Sequence, residues 1–81
     1  MAKRPMPAKL PKKLRKIRQD LGLSQTEIVR ALKYTASPLR ASQISQYENG
    51  KREPPMMLML AYARLANVSL ESLVDDRMKL P

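Results

Sequence analysis

Apolar positions recur along this chain at intervals of three and four, the period of a helix with one buried face. Leu14, Ile17 and Leu21 form the first such stripe, with Lys12, Lys13, Arg15 and Lys16 on the other side. Pro11 suits a first helical position and Gly22 a helix stop, which frames a first helix over residues 11–21. Ser24-Gln25-Thr26-Glu27 is a capping box: Ser24 accepts from the N3 amide and Glu27 reaches back. A second helix follows, with Ile28, Val29 and Leu32 inward. The pattern leaves open whether it runs on through Tyr34, because Ser37-Pro38 then imposes a turn.

A short third helix is expected over Ala41 to Glu48, ending at the turn Asn49-Gly50. Ile44 and Tyr47 share one face and can dock on a core, while Ala41, Ser42, Gln43, Ser45 and Gln46 point elsewhere. Pro55 can open a fourth helix over Met56 to Ala66. Met56, Met59, Leu60, Ala63 and Ala66 share one of its faces, and Met57, Leu58, Ala61 and Leu65 make much of the other apolar too. A helix apolar nearly all round is either a central strut or an interface. Asn67 can take a left-handed turn, and Ser69 caps a short fifth helix with Leu70, Leu73 and Val74. Residues from Asp75 onward read as a frayed polar end, to which Met78 and Leu80 could add contacts.

The pattern therefore gives one all-helical domain over residues 11–76, a basic arm over 1–10 and a tail over 77–81. At 81 residues the core must be small and efficient. Sixteen Lys and Arg against seven Asp and Glu leave a net charge of +9, which calls for an anionic partner. Eight of the sixteen lie between Lys3 and Arg18, with no acid among them. In the arm, Lys3, Arg4 and Lys9 alternate with Pro5 and Pro7, a composition that favours mobility over packing. Such an arm can follow phosphates or enter a minor groove, or serve simply as a solubilising tail.

Other chemistries find little support. There is no His or Cys, no Gly-rich phosphate cradle, and the adjacent Asp75-Asp76 sits near a frayed end, so neither an enzyme, a metal site nor a cofactor is expected. The absence of cysteine is compatible with a reducing cytosol. The apolar run from Met56 to Ala63 is too short to span a bilayer, and a membrane-surface role for the basic N-terminal region is the weaker reading, because the core needs its one apolar stripe.

The third helix carries residue types suited to a B-DNA major groove. Gln pairs with adenine through both amide atoms, Ser bonds to most bases and Ala touches a thymine methyl. Arg18 and Gly22, then Leu23-Ser24-Gln25, then Ile44-Ser45-Gln46-Tyr47-Glu48-Asn49-Gly50-Lys51, Pro54 and Val68-Ser69-Leu70 follow in order. In this order they resemble the phage-repressor/Cro-like, or Xre-like, helix-turn-helix family over about Leu14 to Val74. The resemblance implies a five-helix bundle of the lambda-repressor-like type, a cytoplasmic transcriptional regulator and double-stranded DNA as partner. It implies base readout by Ala41, Ser42 and Gln46, and backbone contacts by Gln25, Arg40, Gln43, Asn49, Lys51 and Arg52. It also implies an ion pair between Arg18 and Glu48, and family habit suggests a homodimer through the fourth and fifth helices. An antitoxin-like or adaptor module that binds a protein partner is the alternative on the same fold.

One departure from the family pattern stands out. The joint from Lys33 to Arg40 is about five residues longer than usual, with Leu39 expected to plug the turn. Arg40 stands where a Ser or Thr cap is customary, so either Arg40 or Ser42 could open the third helix.

Overall fold

The computed structural model describes residues 6–81. They form α1 (Leu10–Asp20), α2 (Gln25–Leu32), α3 (Ala41–Glu48), α4 (Met56–Ala66) and α5 (Leu70–Val74), with no strand among the described residues. Helix α1 packs against α3 on one flank and α5 on another, and α4 closes the bundle against α1, α2 and α5.

Local sequence explains most of these boundaries. The Ser24 hydroxyl accepts from the Glu27 amide at 3.1 Å and the Glu27 carboxylate accepts from the Ser24 amide at 2.8 Å, so both halves of the capping box are made. Ser69 likewise accepts from the Ser72 amide at 3.1 Å to open α5. Helix α4 ends with Asn67 in the left-handed region at φ 56° and the Val68 amide bonded to the Ala63 carbonyl at 2.9 Å. Helix α2 stops at Leu32. Lys33 takes φ 50°, so the helix does not continue through Tyr34, and residues 34–40 cross to α3 as an irregular joint.

Twelve buried apolar residues make the core: Leu10, Leu14 and Ile17 of α1, Ile28 and Leu32 of α2, Ile44 and Tyr47 of α3, Leu58, Met59, Tyr62 and Ala63 of α4, and Leu73 of α5. Leu39 packs against this cluster, as its plugging position requires. Several sequence expectations need correction. Leu21 is exposed, because α1 has already ended and Leu10, not Leu21, completes its inner stripe. On α4 the buried set is Leu58, Met59, Tyr62 and Ala63, which rotates the inner face away from Met56. Met56 is 67% exposed and Met57 58%. Tyr62 is the largest fully buried side chain, and its hydroxyl has no hydrogen-bond partner among the described residues. Burial pushes its phenol well above the ordinary value.

The two ends of the chain clasp each other. Leu10, placed in the arm by its sequence, is wholly buried, and Met6 packs against the core. The Asp76 carboxylate accepts from the Ala8 and Lys9 amides at 2.9 and 3.0 Å, supplying from the far end of the chain the cap that Lys9 cannot give α1. In return Lys13 is buried, and its ammonium donates to the Ser72 and Asp75 carbonyls at 2.6 and 2.9 Å, which ties off the end of α5. Residues 75–76 are thus structural rather than frayed, and Lys13 is not part of the outer basic face. The packed body begins before Pro11 and runs past 76, since Leu80 also lies against the core.

Candidate nucleic-acid interface

Helix α3 is fixed from below and open above. Ile44 and Tyr47 are 0% and 5% exposed and root one face in the core. At about 100° per residue, Ser42 and Gln46 fall on the opposite face. Ser42 is exposed, Gln46 is half-buried, and neither spends a side-chain polar atom on a partner within the described residues. Ala41 is half-buried at the first helical position.

The C-terminal end of α3 is held by a charge cluster. Arg18 of α1 donates through Nε and Nη2 to the two Glu48 carboxylate oxygens at 2.6 and 2.9 Å, a two-pronged pair with the geometry a guanidinium favours. Its Nη1 donates to the Leu23 carbonyl at 3.0 Å, so one side chain joins α1, the turn before α2 and α3. The Glu48 side chain is fully buried and that of Arg18 is 16% exposed. Burial pushes the Glu48 carboxyl up, but the bonds and charge of Arg18, with help from Gln25 and Arg15, outweigh it and hold the group below the usual glutamate range. Beyond Glu48 the chain reverses through Gly50 at φ 73°. The Gly50 amide reaches the Tyr47 carbonyl at 3.3 Å and the Lys51 amide reaches that of Gln46 at 2.9 Å. A side chain at residue 50 would strain this left-handed turn.

The N-terminal end is built more lightly. Arg40 precedes α3 in extended conformation and contributes no side-chain cap. Gln43 instead reaches back, its Oε1 accepting from the Arg40 amide at 2.8 Å. The helix therefore opens at Ala41 with Arg40 as its cap residue and Ser42 already inside it. Arg40, Lys51 and Arg52 are exposed around the helix, one before it and two after it.

Three of the expected backbone-contact residues are partly committed within the protein: Gln43 through the Oε1 that caps α3, and Gln25 and Asn49 at its far end. The Gln25 amide nitrogen lies 3.4 Å from Glu48 Oε1, a long bond that joins it to the ion pair. Asn49 accepts from Arg15 Nη2 at 3.0 Å and donates to Ser45 Oγ at 3.2 Å. By its spacing Arg15 is one of several outer cations of α1. The fold brings it to this corner, with Nε 3.6 Å from Glu48 and its side chain 45% exposed. Its spacing of three from Arg18 was the signal that it shares that face. Lys9 stands at the start of α1, held through its amide, and Lys3 and Arg4 lie outside the described residues. No group of three or more acidic, Cys or His residues that could hold a metal occurs among the described residues.

A family model described as helix-turn-helix matches residues 14–73, about three quarters of the chain and all of α2 to α4. The chain belongs to the Xre/lambda-repressor-like helix-turn-helix family. The arrangement of five helices and no strand among the described residues is that fold, with α2 and α3 as the motif's two helices. The family is one of DNA-binding regulatory domains rather than enzymes. Comparison with curated proteins and with solved structures returns no match. No described helix is long and apolar enough to cross a membrane.

Proposed function

We propose that this helix-turn-helix chain is a cytoplasmic, sequence-specific transcriptional regulator, acting as a repressor, that lays α3 in the major groove of double-stranded DNA. The observation that carries this reading is the pairing of an anchored face, Ile44 and Tyr47, with an opposite face whose Ser42 and Gln46 are unspent. Ala41, Ser42 and Gln46 read bases at about 1–3 kcal/mol for a good contact. Arg40, Gln43, Lys51 and Arg52 hold phosphates on either side, with Gln25 and Asn49 at the edge and Arg15 added to them. Lys3 and Arg4 follow the duplex, while Lys9, whose amide is bound by Asp76 at the start of α1, is left out of these contacts. Affinity rests largely on these cations, so it falls steeply with salt.

Two copies pair through α4 and α5 on a two-fold site. The support is the outer face of α4, where Met56 and Met57 stand in solvent. The same face favours the alternative, a module that holds a protein partner. Selecting bound duplexes from a random pool separates the two: a palindromic winner is expected. Equal, weak binding to every duplex, together with a protein that co-purifies, would replace the regulator by the partner-binding module.

A further inference from the structure

The basic charge of this chain is not confined to the surface around α3. At about 100° per residue, Arg15 and Arg18 of α1 lie on the flank that meets α3, and Lys9, Lys12 and Lys16 turn away from it. Pro11 belongs to the α3 flank too, since a carbon added at Gly50 would stand 3.5 Å from its ring. The C-terminal segment crosses the lysine flank. There Lys9, Lys12, Lys16 and Lys79 rim a hollow of about 410 Å³ whose floor includes Met78 and Leu80. Lys13, at its base, is committed to the Ser72 and Asp75 carbonyls and contributes only its stem. The carboxylates nearby are engaged: Asp76 by the Ala8 and Lys9 amides, Asp75 by Arg77, and Asp20 by Lys16 at 3.3 Å in an exposed pair that an incoming anion can replace at little cost.

We infer that this hollow docks an acidic peptide segment of a protein partner, one that carries an apolar side chain among its carboxylates. The apolar residue covers Met78 and Leu80, and the flanking carboxylates meet Lys12, Lys16 and Lys79. Charge complementarity selects an anionic partner. The apolar lining selects a peptide over a nucleic-acid backbone, because a sugar-phosphate chain has no projecting apolar side chain to cover Met78 and Leu80. The inference does not rest on DNA recognition by α3, since the two surfaces lie on different flanks of α1. The chain can hold both partners at once, a regulator's DNA on one side and an acidic segment on the other.

The test uses the full chain and a labelled twelve-residue peptide of Asp and Glu with one central Leu, followed by fluorescence anisotropy. The Leu peptide binds about tenfold tighter than the same peptide with Ala, as burying most of one isobutyl group requires. The Lys12→Gln/Lys79→Gln variant weakens it severalfold, and a saturating unlabelled duplex leaves the peptide bound. No binding, or equal binding of the Leu and Ala peptides, overturns the inference by reducing the hollow to a nonspecific patch. Displacement by the duplex overturns it by placing the peptide on the α3 surface. Because peptide titration needs no operator, failure of the DNA reading would show separately, as a chain that binds peptide but selects no sequence.

Discussion

The two ends of α3 are built to different standards. At its C-terminal end, a buried carboxylate, a two-pronged guanidinium, a left-handed glycine and the Asn49–Arg15 contact fix the helix to α1. At its N-terminal end, one backbone amide is satisfied by Gln43, and the chain arrives through a joint whose residues 35–38 are all exposed. The helix is thus pinned at its C-terminal end and lightly held at its N-terminal end, the end that the proposed function turns toward DNA. Changes confined to the exposed residues 35–38 leave Tyr34 and Leu39 packed on the core, so under the proposed function they are the positions at which the approach to α3 can vary while the fold is kept.

Three measurements probe that contrast. Glu48→Ala leaves the nearly buried Arg18 without its partner and should cost about 3 kcal/mol, read by urea denaturation. A loss under about 1 kcal/mol would mean that the pinned end is not pinned. A smaller effect of the same pair appears in acid. Because the folded state holds the Glu48 carboxyl below its ordinary value, the pair's contribution is full above that value and is lost as pH falls through the lower folded one. Asp75, lowered by Arg77, and Asp76, lowered by the Lys9 and Ala8 amides, act in the same direction. Melting temperature should therefore drop on acidification below about pH 4.5, and Glu48→Gln, already less stable at neutral pH, should show a flatter drop. An identical pH profile would remove the ion pair from the account. At the other end, Gln43→Ala should cost about 1 kcal/mol or less, as loss of a helix cap does. A cost matching that of Glu48→Ala would erase the distinction between the two ends.

What the sequence disclosed follows the same division between local and distant causes. Ser24 and Glu27, Ser69, Gly22 and Asn67 act within a few residues, so the helix ends they set could be read directly. The Arg18–Glu48 pair spans thirty residues and was legible only through the family pattern. The roles of Leu10, Tyr62, Lys13 and Asp76 are not legible locally, because their surroundings come from distant parts of the chain. Leu10 follows two prolines and three cations, and the Asp76 cap that helps its helix start there comes from the far end of the chain. Tyr62 carries a hydroxyl, a sign against full burial, and is still wholly buried, near enough to Glu48 and Arg18 to feel their charges. Lys33 ends α2 in a left-handed conformation that glycine or asparagine would have advertised and lysine does not. In the candidate interface, α3 and its exposed face were readable from spacing alone. The internal engagement of Gln25 and Asn49 and the arrival of Arg15 depend on how α1 crosses α3.

The central claim is that α3 presents Ser42 and Gln46 to nucleobase edges. It is tested most directly by repeating duplex selection with Gln46→Ala and comparing affinities on the winning and random duplexes at one salt concentration. The account predicts a changed preference at one position in each half-site, a loss of about 1–3 kcal/mol on the original winner and unchanged binding to random duplexes. The same selected sequence, or an equal loss on every duplex, would contradict it.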